Sequence, residues 1–391
     1  MLNAASVHVF EIDDVSLALE EVHRQLDEKL VLCKNTVGIL HCGADFIESG
    51  VVSSLCESLS FPVVGTTSMA EATNQGLGSL MLSLLVLTGD DVVFVPVHTN
   101  GHADDFSGSI ERSFAEASRP EEMPLKLVLN FPSLLDKYSG DDYIGAFEKT
   151  CGNVPIFGSF SIEEEITTYT RNATICNGEC FAEEMVYLLV YGNCEPRFFV
   201  APMVCDTEIL DHCVITKADR HSLQEINETP AVDFFERFGM AKDGQLREGV
   251  NYLPFLLSMP GEDGSRKVPF ARGLIDAAED GSILCRGTMY EQAILSIGSN
   301  TPANILAAAE ELNIFLQNEQ DVHAVLAYSC VMRRIGLLQK PELEMEAVQG
   351  VLQDDIPFLM AYSGGEFCPS ETQGHAPENR FHNFSFIACV L

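Results

Sequence analysis

Basic side chains are scarce in this sequence: 23 lysines and arginines stand against 58 acids in 391 residues, a formal net charge of -35. Duplex binding depends on Lys and Arg neutralising phosphate, so a nucleic-acid groove is excluded as a first reading. Long apolar runs are missing too. The most apolar stretch, Leu77–Leu87, contains Gly78, Ser79 and Ser83 and falls far short of the roughly 20 residues that cross a bilayer. The opening residues, MLNAASVHVFEIDD, lack a basic segment followed by an apolar one, so no secretory signal is read. The 13 cysteines are odd in number and form no framework. Cys33, Cys56, Cys330 and Cys389 lie in apolar runs, which suits reduced thiols and a cytoplasmic protein with idle sequons at Asn172, Asn227 and Asn383.

Common signatures of chemistry are absent as well. There is no G-x-x-x-x-G-K-[ST], no G-x-G-x-x-G opening a helix, no G-x-S-x-G and no H-E-x-x-H. Cys176-Asn-Gly-Glu-Cys180 has no second cysteine pair to complete a zinc site. The run Glu163–Glu165 reads as a solvated loop.

What is present is apolar and repetitive. Hydrophobic content of 46% with 21% charged residues describes a chain that buries a large core, and its length suits two or three domains. One pattern occurs three times: a buried strand, a polar turn, an amphipathic helix, then a proline, two apolar residues and a second strand. The strands read as Thr36–His41, Lys126–Asn130 and Val322–Cys330, and the helices as Phe46–Leu59, Asp141–Cys151 and Glu342–Leu352. The closing strings are Pro62-Val-Val-Gly-Thr-Thr-Ser68, Pro155-Ile-Phe-Gly-Ser-Phe-Ser161 and Pro357-Phe-Leu-Met-Ala-Tyr-Ser363. Long strands follow at Leu80–Leu87, Asp91–Val97, Met185–Val190, Arg197–Met203 and Phe381–Leu391. One helix per three strands predicts an α+β fold of tandem β-α-β-β units, with mixed sheets covered by helices in two domains. Between the second and third copies the sequence reads as a helix over Leu223–Phe238, a strand within Asn251–Met259, an irregular Pro260–Val268 and a helix from Thr301-Pro302 to Asn318. The boundary is placed near Asp206–His212, giving domains 1–208 and 209–391.

Polar residues at the ends of these apolar strands are the candidate site. Arg333 is suited to clamp a carboxylate or to pair with an acid. Glu366 after Gly364-Gly365 can accept from an ammonium group or from local backbone. His382 shares a strand face with Phe384 and Phe386, as an axial haem ligand or a core histidine would. Thr67 and Ser68 after Gly65 either form an anion nest or cap the next segment. Cys330 beside Ser329 is a nucleophile only if a base lies close, and is otherwise a buried thiol.

Five strings in this order, Gly65-Thr-Thr-Ser-Met-Ala-Glu71, Pro155-Ile-Phe-Gly-Ser159, Ile215-Thr-Lys-Ala218 with Pro230-Ala231, Ser329-Cys330 with Arg333, and Gly365-Glu366 followed by His382-Asn383, resemble the FIST (F-box and intracellular signal transduction) family. The chain departs from it at Ser68-Met69-Ala70 and Phe367. The resemblance implies a sensory protein binding a small polar, amino-acid-like or carboxylate ligand, with Gly65, Thr67, Ser68, Ser329, Cys330, Arg333, Tyr362, Gly365, Glu366, His382 and Asn383 as ligand-binding candidates. No resident cofactor is expected, and the signal is expected to pass to a separate protein such as a histidine kinase. The alternatives are a haem-binding nitric-oxide sensor using His382, a Cys330 or Ser329 enzyme acting on a small amide or acyl substrate, and a scaffold without ligand. Strong acidity makes any protein partner basic or its contact apolar.

Overall fold

Apolar runs bounded by Gly, Asn and Asp form strands, and in the computed structural model these assemble into three six-stranded mixed sheets and a separate inserted body. The structure describes residues 2–135, 137–164, 171–201, 213–260, 269–352, 356–370 and 377–391. The boundary expected at Asp206–His212 lies outside these residues, as does nearly all of Pro260–Val268.

The first unit runs β1 (Asn3–Val9), α1 (Val15–Lys29), β2 (Asn35–Cys42), α2 (Ala44–Glu48), α3 (Val51–Ser58), β3 (Val63–Thr67), a hairpin of β4 (Glu71–Thr73) and β5 (Leu77–Gly78), and β6 (Leu82–Gly89). The second repeats this order: β7 (Val92–His98), α4 (Phe106–Glu116), β8 (Leu125–Pro132), α5 (Gly140–Cys151), β9 (Ile156–Ser159), the hairpin β10 (Thr174–Cys176) and β11 (Glu179–Phe181), and β12 (Met185–Gly192). The third starts with β13 (Arg197–Ala201) and is interrupted by the inserted body. That body holds α6 (Ala231–Arg237) and ten strands, from β14 (Cys213–Asp219), through β15 (Ser222–Ile226), β19 (Phe255–Ser258) and β20 (Phe270–Arg272), to β23 (Ile294–Ile297). The third unit resumes with α7 (Pro302–Gln317), β24 (Val325–Cys330), α8 (Val331–Gly336), α9 (Leu343–Val351), β25 (Phe358–Ser363), the hairpin β26 (Glu366–Ser370) and β27 (Glu378–His382), and β28 (Phe386–Val390). Each unit therefore begins one strand and one helix earlier than the β-α-β-β pattern suggested.

The hairpins are exchanged cyclically. β4 pairs with β25 of the third unit, β10 with β3 of the first, and β26 with β9 of the second, each antiparallel. The parallel pairs β2–β3, β8–β9 and β24–β25 sit at equivalent places. The three sheets enclose one apolar core, to which they contribute Ile39, Leu129 and Leu326. Their outer faces carry the helices: α1 to α3 on the first, α4 and α5 on the second, α7 and α9 on the third. Strands buried on both faces need apolar residues at every position, which is why they read as continuous runs.

Local signals set the helix starts. Asp14 and Thr301 accept from backbone N–H groups three residues on, at 3.1 and 3.3 Å, and Ser139 forms a capping box with Asp142. Three expectations change. The helix read over Phe46–Leu59 is two helices, because Gly50 turns at φ +84° between them. Leu223–Phe238 opens as strand β15 and only Ala231–Arg237 is helical; Asn227 and Glu228, at φ +49° and +60°, make the turn. Phe381–Leu391 is not one strand: Phe384 at φ +57° breaks it, and the two halves join different sheets.

Candidate functional site

The candidates other than His382 and Asn383 sit at the carboxyl ends of the parallel strand pairs, where the three units interlock. There Ile162 N–H donates to the Thr67 carbonyl, Phe160 to Gly365 and Tyr362 to Ala70. Gly65 is needed for closeness of backbones, since a Cβ would lie 1.8 Å from the Leu40 carbonyl oxygen. Thr67 Oγ1 accepts from Ala173 N–H at 3.0 Å, tying the second unit's hairpin to the first sheet. Ser68, just past the end of β3, donates its hydroxyl to Glu71 three residues on. Glu71 is fully buried, and desolvation pushes its carboxyl well above the usual range.

Ser329, Arg333 and Tyr362 converge on a residue that sequence reasoning missed. Glu344 Oε2 accepts from Ser329 Oγ at 2.7 Å and from Tyr362 Oη at 2.9 Å. Its Oε1 accepts from Arg333 Nε at 2.9 Å and Nη2 at 2.6 Å, and Nη2 also donates to the Ile305 carbonyl. The two charged groups are 1% and 0% exposed. Arg333 therefore pairs with an acid inside the protein. The signal was a carboxylate on the apolar face of α9, four residues before the buried Val348.

Glu366 lies beside this group. Its oxygens accept from Ser363 Oγ and Ser385 Oγ, each at 2.8 Å, and burial raises its carboxyl to about 8 against the lowering effect of those bonds. Gly365 (φ +138°) has the Phe381 ring 2.7 Å from where a Cβ would be. Burial first, and Glu366 second, push the Cys330 thiol well up, so it stays protonated. Glu163, read as solvated, is 2% exposed and accepts from Arg171 N–H at 2.7 Å. Glu165 lies outside the described residues. Cys176 and Cys180 close the β10–β11 turn with raised thiols, and no group of three or more potential metal ligands occurs among the described residues.

His382 and Asn383 lie elsewhere, on a cavity of about 610 Å³ between the ring of sheets and the inserted body. Pro196–Val200 with α7 form one wall, Pro269, Phe270 and Ala271 of the inserted body a second, and Arg380, His382 and Ser370 of the third-unit hairpin the remainder. His382 Nε2 donates to the Cys368 carbonyl at 3.0 Å. That fixes the tautomer and leaves Nδ1 as an acceptor, while burial lowers the ring's pKa to about 4 and keeps it neutral. Asn383 accepts from Gly273 N–H of the inserted body at 3.2 Å. The face shared with Phe384 and Phe386 is lost at the φ +57° break. Arg197 grips the end of α7 through the Gln320 carbonyl and Glu319, with its Nε buried and unpartnered among the described residues. Arg380 hydrogen-bonds, among the described residues, only to the exposed Glu378, at 3.3 Å. Sequence reasoning did not single out Arg197, or Phe270, whose place depends on the inserted body folding back.

The inserted body docks through Arg272, which is 2% exposed. It reaches Asp141 at 3.2 Å and the Phe381 carbonyl at 3.0 Å, while Thr288 N–H donates to Asp141 at 2.7 Å. The cavity thus lies along a seam between two bodies that each have a core of their own and share a small apolar cluster of Leu256 and Ala271 with Ile305, Leu337 and Phe384. No helix among the described residues is long and apolar enough to cross a membrane.

Comparison with known proteins adds family likeness. The FIST N domain model matches residues 36–229 and the FIST C domain model residues 231–369. No curated protein matches the chain. Two solved structures of cyanuric acid hydrolase are similar at TM-score 0.34, one of them from A. caulinodans. They are 10% and 8% identical, and each alignment covers 100% of this chain and 99% of the other.

Proposed function

Because the chain belongs to the FIST family, whose domains are signal-transduction sensory domains, we propose that it senses a small carboxylate-bearing, amino-acid-like ligand in the 610 Å³ cavity. In this reading the ligand state passes to a separate protein such as a histidine kinase. The observation that carries the reading is the position of the cavity: a ligand there touches both the ring and the inserted body, so its binding energy biases how the two dock. The volume lies within the roughly 300–1,000 Å³ of small-molecule sites. Arg380 supplies the cation, and His382 Nδ1 and Ser370 supply polar contacts on a mostly apolar wall.

The residues fit haem poorly. His382 has committed Nε2, the ring nitrogen farther from its main chain, to the Cys368 carbonyl at 3.0 Å, which leaves only Nδ1 for any ligand. Nor is a nucleophile prepared: Ser329 donates to Glu344 inside an ion pair, and the Cys330 thiol is held protonated. A thermal-shift panel of amino acids and small carboxylates tests the reading. A ligand at 100 times its Kd adds about 2.7 kcal/mol. The reading expects stabilisation by at least one carboxylate, lost in Arg380→Gln; no stabilisation by any member of the panel contradicts it.

A further inference from the structure

The wall of the cavity is unusual in what it exposes. Side chains alternate across a strand, so a cavity lying on one face meets every second residue. Here Arg197, Phe198, Phe199 and Val200 of β13 all line it in succession, as do Phe270 and Ala271 of β20. Phe198 and Phe199 belong to opposite faces: the first packs toward the central core with Phe157, rings 6.2 Å apart, and the second toward α7 with Phe315 at 5.5 Å. The cavity therefore runs along the edge of β13, where main-chain N–H and C=O groups point outward. Among the described residues β13 pairs only with β28 and β20 only with β19, so within them each has one edge without a ladder, and the Phe199 carbonyl of β13 has the Cys368 thiol 3.9 Å away. β27, in contrast, presents one face, with Arg380 and His382 lining the cavity while Phe381 turns into the core.

Resting on the ligand-sensing reading above, we infer that the ligand class is a short extended peptide with a free α-carboxylate. It pairs its amides with the open edge of β13 or β20 and sets its carboxylate against Arg380. Edge pairing recognises the repeating amide and leaves side chains to alternate pockets, which Phe198, Phe270 and Phe315 provide in apolar form. A single amino acid has a carboxylate for Arg380 but no amide for the edges. A carboxylate hydrogen-bonded to a guanidinium is the stronger, charge-assisted kind of contact.

Calorimetric titration of the full chain with four probes tests this: a mixed-sequence tripeptide pool, the same pool N-methylated at its internal amides, the C-amidated pool, and the corresponding free amino acids. The expected result is binding by the unmodified pool, weakened on the order of tenfold or more by N-methylation, by amidation and by Arg380→Gln. Equal binding of the N-methylated pool, or binding of free amino acids alone, overturns the peptide inference and leaves the carboxylate sensor standing. Absence of binding by all four probes overturns both. Thermal melts of Arg380→Gln separate loss of binding from loss of fold.

Discussion

Replacing Arg333 by methionine separates a structural arginine from a ligand clamp. The guanidinium makes three hydrogen bonds, two to Glu344 and one to the Ile305 carbonyl, with both charged side chains sealed from solvent. Methionine fills similar volume but leaves the Glu344 carboxylate with only Ser329 and Tyr362. Breaking one partner of a buried pair typically costs about 3–5 kcal/mol, because the remaining charge stays buried and uncompensated. At about 1.4 kcal/mol per tenfold, that lowers the folded-to-unfolded ratio by two to more than three orders of magnitude. Replacing both residues, Arg333→Met with Glu344→Leu, is expected to recover most of the loss, since no charge is then left behind. Urea denaturation followed by circular dichroism reads both. Arg333→Met with wild-type stability but no ligand response would refute the assignment and return Arg333 to the ligand site.

Further outcomes follow from the same geometry. Burial raises the Glu366 carboxyl to about 8 and pushes that of Glu71 well up, so the folded chain holds protons that the unfolded chain has released above pH 4.5; the stability Glu366 contributes is full at low pH and is lost as pH rises through about 8. His41, His102 and His382, depressed to about 3, 4 and 4, act in the opposite sense only below pH 6.5. Chemical melts from pH 6.5 to 8 should therefore show falling stability, and Glu366→Gln should remove up to about 1.4 kcal/mol per pH unit of that slope. Gly65→Ala puts a methyl 1.8 Å from the Leu40 oxygen and should abolish soluble expression, whereas Gly50→Ala, with nothing within 4 Å but φ +84°, should cost only about 1–2 kcal/mol. Arg272→Met removes the grip on Asp141 and Phe381; limited proteolysis should then release the inserted body, while a wild-type cleavage pattern would show that Arg272 does not hold the seam.

The strand–helix–strand cores of the units were legible because burial on both sheet faces writes continuous apolar runs, and because Pro62, Pro155 and Pro357 punctuate them at one position. The cyclic exchange of hairpins was not: β4, β10 and β26 are short, and which sheet they join depends on partners more than 100 residues away. Chain breaks at Gly50 and Phe384 are single-residue conformations, and only the glycine advertises its own. For the site, the strings around Ser329, Arg333, Tyr362 and Glu366 pointed to real polar clustering, but those groups satisfy one another. A scarce cation inside an acidic chain reads the same whether it meets a ligand or Glu344, until the fold supplies the partner. His382 and Asn383 reached the cavity, yet its other wall comes from an inserted body whose return no local pattern encodes.

Hydrogen exchange with and without a saturating amino-acid and tripeptide mixture tests the location of the ligand most directly. The account predicts slowed exchange at 197–201, 269–273 and 377–385, the three walls of one cavity. Protection confined to 62–71 and 325–336, with those walls unchanged, would contradict it and place the ligand at the interlocked strand ends instead.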